Sequence, residues 1–198
     1  MKTPHLLAAA LLSTLTLAVP AAREAIANPE QPSMSAVERD PTLEKLLDLV
    51  EGHFANEERA IAFYEIQSQD AGRLLVGEFY RLDNPSQPEG QVVFQFIRRA
   101  DGVYLRTSRF PAGSRTAPGL WAAPAAVPII QASGLDILAD LKVTMDSESE
   151  PTSFEATTLH RVPVYLDRAV EMETTISADG SGVVINEVGY DPAGAEAF

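Results

Sequence analysis

The side chains that most often perform catalysis or bind metals are scarce in this sequence. It contains no cysteine and three histidines, of which His53 and His160 lie far apart and in no metal-ligand spacing. The absence of cysteine excludes disulfides, thiolate nucleophiles, cysteine–zinc sites and iron–sulfur clusters. A glycine-rich phosphate loop and a nucleophile elbow are also missing. The sequence therefore predicts no metal site and selects no catalytic residue.

A local group of arginines stands out in an otherwise acidic chain. Its members are Arg98, Arg99, Arg106, Arg109 and Arg115. The group fits two interpretations. The arginines either balance neighbouring acidic residues or form a cationic rim that binds a carboxylate-bearing ligand through bidentate hydrogen bonds.

The overall composition narrows the range of partners. The chain has 198 residues, a formal charge of −13 and 45% hydrophobic residues, which is typical of a soluble, acidic, single-domain protein. Nucleic acid is an unsuitable partner, because binding a polyanion requires a concentrated positive face. No apolar run is long enough for stable membrane insertion.

The N-terminus has the pattern of an export signal. Lys2 precedes an apolar run from Leu6 to Val19, and Ala25-Ile26-Ala27 matches a small-x-small cleavage site. We therefore expect residues 1–27 to be a cleavable signal peptide, residues 28–40 a disordered leader, and residues 41–198 a single domain in a periplasmic or secreted protein.

Two local patterns set the fold class. Asp40 followed by Pro41 predicts the start of a short helix, whose apolar stripe ends near Gly52. The segment from Gln91 to Phe110 is rich in β-branched and aromatic residues on both sides of Asp101-Gly102, which predicts a β-hairpin. Val92, Phe94 and Phe96 share one face of its first strand, and Gln91 lies on the other.

Further period-two segments predict most of the remaining sheet. They are Ile61–Ser68, Arg73–Leu82, Lys142–Met145, Phe154–His160, Arg168–Ser177 and Val183–Gly189. The proline-rich segment Pro111–Pro128, which contains Trp121, predicts a long connection, and Gly134–Leu141 predicts a short helix. Together these elements predict a mostly β protein: an antiparallel, up-and-down barrel of about eight strands with a short N-terminal helix and room for one small ligand.

Five separated segments, in order, resemble the CpcT/CpeT family of chromophore lyases. Leu46–Ala60 is similar to the family's opening, in which a helix runs into Gly-x-Phe-x-Asn-x-x-x-Ala, and Glu187–Gly194 is similar to its closing segment. Between them, Gln91–Phe94, Trp121 and Phe154–Thr157 stand where the family has corresponding motifs. The order and spacing fit over most of the domain.

The resemblance implies a lipocalin-like (calycin-type) barrel that holds a bilin, which is a linear tetrapyrrole. It also implies delivery of that bilin to a cysteine on an acceptor protein. The matching positions imply that the residues that contact the ligand or form the family's motifs are Gln91, Phe94, Trp121, Tyr190 and Asp191.

The sequence leaves three functions open. The first is a binding module for an amphipathic, tetrapyrrole-like molecule, and the second is a bilin lyase. The third is an interaction domain with a filled barrel and no ligand. The presence of a ligand-sized cavity distinguishes the first from the third.

Overall fold

The computed structural model of the chain describes residues 40–84, 87–111, 119, 129–166 and 169–197. The predicted signal peptide, the predicted leader up to residue 39 and most of the predicted 111–128 connection, including Trp121, lie outside these residues. The helix described in this part of the chain is too short and too polar to cross a membrane.

The N-terminal helix α1 (Pro41–Val50) follows the predicted capping pattern. The Asp40 carboxylate accepts hydrogen bonds from the backbone N–H groups of Thr42 and Leu43, which have no partner within the helix. Leu46 and Val50 are fully buried on one side of the helix. The sequence prediction of this helix is confirmed.

Eleven strands are present in the described residues. They are β1 (Gly52–Ala55), β2 (Arg59–Ser68), β3 (Arg73–Arg81), β4 (Gly90–Arg99), β5 (Gly102–Arg109), β6 (Ile129–Ile130), β7 (Asp136–Met145), β8 (Ser153–Thr158), β9 (Val162–Leu166), β10 (Ala169–Asp179) and β11 (Gly182–Tyr190). Nine of them form one antiparallel path in the order β1-β2-β3-β4-β5-β7-β8-β10-β11. β6 pairs in parallel with β2, and β9 pairs with β10. The mostly β, up-and-down antiparallel class is confirmed.

The predicted closure into a barrel is not observed. Within the described residues, β1 and β11 are the two ends of the strand path and do not pair with each other. Each step along the path is antiparallel, so a path of nine strands leaves β1 and β11 running in the same direction. An up-and-down barrel closes by antiparallel pairing of its first and last strands, which needs an even number. The estimate of eight strands was too low because it missed β1, β6 and β9.

The predicted helix at Gly134–Leu141 is also wrong. Ala132–Gly134 form one 3₁₀ turn, and Asp136 begins β7, which continues through the short strand predicted at Lys142–Met145. The pairing of β5 with β7 shifts register between Thr107 and Ser108, so Leu138 falls at a β-bulge. The bulge breaks the alternation that would have marked a strand.

The sheet curves around α1, which contacts β3 and β4 on one side and β8, β10 and β11 on the other. We call the sheet face against α1 the inner face. Its core combines Leu46 and Val50 of the helix with Phe63, Phe94 and other buried side chains from the sheet. The outer face of β2, β3 and β4 carries a second buried cluster that includes Leu74, Val76 and Val93. Both faces of the central hairpin are therefore packed.

One arginine fixes the helix to the sheet. Arg73, at the start of β3, forms ion pairs with Asp48 and Glu51 of the α1 region and with Glu65 of β2. Its side chain is only 14% exposed. Burial acts to lower the pKa of Arg73, but its hydrogen bond to Asp48 and the charges of Asp48, Glu51 and Glu65 outweigh burial and raise the pKa, so this guanidinium stays charged in the folded protein.

Candidate ligand-binding cleft

A cleft of about 760 Å³ lies where β1 approaches the ends of β7, β8, β10 and β11. The edge strands β1 and β11 lie close together here, since a Cβ atom added to Gly182 of β11 would lie 3.8 Å from Cδ1 of Phe54 in β1. The lining is drawn from five strands, from Asp146 directly after β7, and from the turn between β10 and β11. It consists of His53, Phe54, Ala55, Thr144, Met145, Asp146, Ser153, Phe154, Glu155, Ser177, Ala178, Asp179, Ser181, Gly182, Val183 and Val184.

The apolar part of the cleft comes from both edges of the sheet. Val184 is 53% exposed on the outer face, and Phe54 and Val183 are partly exposed on the inner face. Behind them, Phe154 and Ala178 belong to the buried inner core. This part of the cleft can bury the hydrocarbon portion of a small molecule.

The polar part of the cleft is acidic. Asp146 accepts hydrogen bonds from the Thr152 hydroxyl at 2.5 Å and from the backbone N–H groups of Thr152 and Ser153 at 3.0 and 3.1 Å. These hydrogen bonds lower the pKa of Asp146 to about 2. Asp179 accepts hydrogen bonds from the hydroxyl and the backbone N–H of Ser181, which lower its pKa in the same way. Glu155 is exposed on β8 between them.

A histidine and a tyrosine lie beside the cleft on the outer face. His53 Nε2 hydrogen-bonds the hydroxyl of Tyr80, and the two rings are stacked with their centroids 5.8 Å apart. Burial raises the pKa of Tyr80, and the nearby Glu78 carboxylate raises it further. Ala60 and Ala62 leave room for the Tyr80 ring, which is 3% exposed. The pair places a polar ring at the margin of the cleft.

The structure does not bring the sequence-predicted site residues together. Gln91 lies on the outer face, where its side-chain amide donates a hydrogen bond of 2.7 Å to Glu78. Phe94 lies on the inner face, is 1% exposed, and packs against Phe63 with ring centroids 4.9 Å apart. Neither residue lines the cleft. Trp121 lies outside the described residues.

The two predicted residues near the C-terminus form local structure. Tyr190 packs on the outer face under the guanidinium of Arg161 and donates a hydrogen bond of 2.9 Å to Glu173. Asp191 accepts hydrogen bonds from the backbone N–H groups of Ala193 and Ala195 and so holds the last turn. These contacts account for both residues without a ligand.

Four of the five grouped arginines form ion pairs with aspartates. Arg99 and Arg106 both bind Asp140. The other two pairs are Arg98 with Asp40 and Arg109 with Asp136. Arg115 lies outside the described residues. This arrangement supports the interpretation of these arginines as charges that balance neighbouring acids.

Sequence reasoning missed the residues that line the cleft. Five of them nevertheless belong to segments that the family resemblance had marked: His53, Phe54 and Ala55 lie in Leu46–Ala60, and Phe154 and Glu155 lie in Phe154–Thr157. In the part of the chain that the structure describes, no group of three or more histidine, aspartate or glutamate side chains is placed to hold a metal ion.

Comparisons with known proteins bear on the fold. No family model and no curated protein matches the sequence. Among solved structures, the selenomethionine form of the CRL protein of Arabidopsis is similar, with a TM-score of 0.54 and 11% sequence identity. The match covers 81% of this chain and 92% of that chain. At this level of identity, the similarity shows a shared fold alone.

Proposed function

We propose that this protein binds an amphipathic small molecule in the cleft between β1 and the ends of β7, β8, β10 and β11. The observation that carries the proposal is the cleft, whose volume of about 760 Å³ accompanies an apolar side and a polar rim. Sites for small molecules commonly measure about 300–1,000 Å³ and combine apolar walls with a few polar groups. The cleft supports this function over that of an interaction domain without a ligand.

We further propose a lipocalin-like architecture and an exported location for this protein. We regard the curved sheet with α1 against its inner face as an open form of a lipocalin-like barrel, in which the ligand occupies the seam between the edge strands. The N-terminal pattern Lys2, Leu6–Val19 and Ala25-Ile26-Ala27 supports action in the periplasm or outside the cell.

The test is calorimetric titration of the full chain with decanol, a neutral amphiphile, below its solubility limit. We expect saturable binding that Ser177→Trp abolishes, because Ser177 lines the cleft and an indole there fills it. The matched control is Thr175→Trp, which places the same side chain two residues away on the same face of β10 and outside the cleft lining. This variant should bind decanol like the unchanged protein.

Two outcomes would overturn the proposal. One is the absence of saturable binding by the unchanged protein. The other is equal binding by the Ser177→Trp variant after circular dichroism has shown that both variants are folded, since binding would then occur elsewhere.

A bilin lyase is the second candidate, favoured by the collinear resemblance of Leu46–Ala60 and Glu187–Gly194 to the CpcT/CpeT family. In the structure, one residue of each segment stabilises a turn through its side chain. Asn56 accepts hydrogen bonds from the backbone N–H groups of Glu58 and Arg59 in the β1–β2 turn, and Asp191 accepts one from the backbone N–H of Ala193 in the last turn. Because the chain has no cysteine, the acceptor thiol must belong to a partner protein.

Absorbance titration with biliverdin and reconstitution with a cysteine-bearing phycobiliprotein test the lyase. A saturable red shift followed by a covalent adduct on the acceptor would support it. A red shift without an adduct would leave a tetrapyrrole-binding protein, and a flat titration would exclude both bilin functions.

A further inference from the structure

We infer that the ligand of the cleft is a cationic amphiphile, in which an ammonium group is joined to an apolar body. The inference rests on the proposed function and specifies the chemical class of its ligand.

The charged groups of the cleft all have one sign. Its lining includes Asp146, Glu155 and Asp179, and none of the described lining residues is lysine or arginine. Glu155 belongs to β8, Asp179 is the last residue of β10, and Asp146 directly follows β7, which neighbours β8 in the sheet. Pairing places Asp179 opposite Ser153, whose backbone N–H binds Asp146, and Glu155 opposite Ser177. The carboxylates therefore occupy neighbouring positions at one end of the sheet.

In the described part of the chain, these three carboxylates have no arginine partner, unlike two aspartates of β7. Asp136 and Asp140 are paired with arginines. In contrast, no ion pair with lysine or arginine joins Asp146, Glu155 or Asp179 within the described residues. Their hydrogen bonds come from neutral hydroxyl and backbone N–H groups, which leave the negative charge in place. An uncompensated group of like charges in a cleft concentrates cations there.

The apolar side chains stand where the body of such a ligand would lie. Val184 lines the cleft on the outer face of the sheet, where Glu155 and Asp179 also lie, and Phe54 and Val183 line it on the inner face. An ammonium group beside the carboxylates would place an attached hydrocarbon chain over Val184 and around the strand ends, towards Phe54 and Val183. An anionic headgroup in the same position would be repelled.

The experiment compares three ligands with one hydrocarbon chain and different headgroups: decylamine, which is protonated at neutral pH, decanol and decanoate. Each is titrated into the full chain by calorimetry at low ionic strength and below its aggregation concentration. We expect decylamine to bind most tightly, decanol more weakly, and decanoate least. Glu155→Gln should weaken decylamine binding by about two- to fivefold, the range for one exposed charge pair, and should weaken decanol binding by a smaller factor.

A matched control removes one charge from the other end of the sheet. Glu196 is exposed, and no ion pair with lysine or arginine joins it within the described residues. It pairs with Tyr190 at the end of β11, whereas the cleft is lined by Gly182, Val183 and Val184 at the start of that strand. Glu196→Gln should therefore leave all three affinities unchanged. An equal loss in the two variants would show a general effect of net charge and overturn the inference.

The outcomes separate this inference from the proposed function. Equal binding of decylamine and decanol, with both blocked by Ser177→Trp, would overturn the cationic preference and retain the cleft as a binding site. Tighter binding of decanoate would do the same. If none of the three ligands binds, the proposed function itself fails.

Discussion

The ring of Phe63 in β2 lies directly against Gly77 in β3, and a Cβ at Gly77 would come within 2.6 Å of Cε1 of Phe63. Phe63 is 3% exposed and packs against Phe94 in the inner core, so the ring has little room to move. We expect Gly77→Ala to lower the free energy of unfolding by about 1–3 kcal/mol, the usual cost of overpacking a core. Urea unfolding followed by circular dichroism measures this change.

Gly90→Ala is the matched control for this substitution. Gly90 opposes Phe79 in the same sheet, and apart from its two chain neighbours no atom of a described residue lies within 4 Å of the position that its Cβ would take. Its stability should change by less than about 1 kcal/mol. Equal destabilisation of the two variants would mean that the added methyl group, rather than the contact with Phe63, is responsible.

Gln91 forms a hydrogen bond within the protein, so its replacement should lower stability without changing ligand affinity. Its amide donates to Glu78, which is 1% exposed and also accepts a hydrogen bond of 3.0 Å from the backbone N–H of Gly119. Gln91→Leu removes one donor from a buried carboxyl group, and we expect it to destabilise the protein by about 1–3 kcal/mol. Decanol affinity should be unchanged, since Gln91 lies outside the cleft lining.

Gln95→Leu provides the comparison for Gln91→Leu. Gln95 lies on the same face of β4, and no side-chain hydrogen bond joins it to another described residue. Its replacement should alter stability by about 0.5 kcal/mol or less. Loss of ligand affinity in Gln91→Leu at normal stability would instead identify Gln91 as a binding residue, as the family resemblance implies.

Local sequence patterns were sufficient to predict most strands of the sheet. The alternation in Gln91–Arg99 and the turn at Asp101-Gly102 predicted β4 and β5 and assigned Gln91 and Phe94 to opposite faces. The resemblance nevertheless grouped these two residues in one pocket, which a flat pleated strand does not allow. At Leu138, the bulge against β5 disturbed the pattern, so that a strand resembled a helix.

The cleft could not be predicted from local patterns. Its lining comes from four separated segments, 53–55, 144–146, 153–155 and 177–184, which meet only because the sheet curves around α1. Curvature and the number of strands also decide whether the sheet closes. β1 has only four residues, too few for a clear period-two signal, and it was therefore missed.

Asp146 predicts a contribution to stability that depends on pH. Hydrogen bonds from Thr152 and Ser153 lower its pKa from 3.8 to about 2 in the folded protein. A carboxyl group whose pKa is lower in the folded than in the unfolded chain stabilises the fold above the unfolded value. This contribution is lost as the pH falls from 3.8 through about 2. Asp146→Asn keeps an oxygen acceptor but has no charge to lose.

The measurement for Asp146 is the urea midpoint of both proteins at a series of pH values. The unchanged protein should be more stable than Asp146→Asn at neutral pH, and the difference should shrink across the range from 3.8 to about 2. A difference that stays constant with pH would show that the charge of Asp146 contributes nothing to the turn.

Salt should distinguish the two parts of the cleft. Glu155 and Asp179 are exposed, so their attraction for a bound ammonium group is screened by ions, whose Debye length falls from about 10 Å at 0.1 M to about 3 Å at 1 M. We expect the affinity for decylamine to fall as sodium chloride rises, whereas the affinity for decanol, which depends on burial of hydrocarbon, should hold or increase slightly. In Glu155→Gln the salt dependence for decylamine should be shallower, because one screened charge is gone. If salt weakens both ligands equally, the acidic rim does not recognise the ligand and the preference for cations must be abandoned.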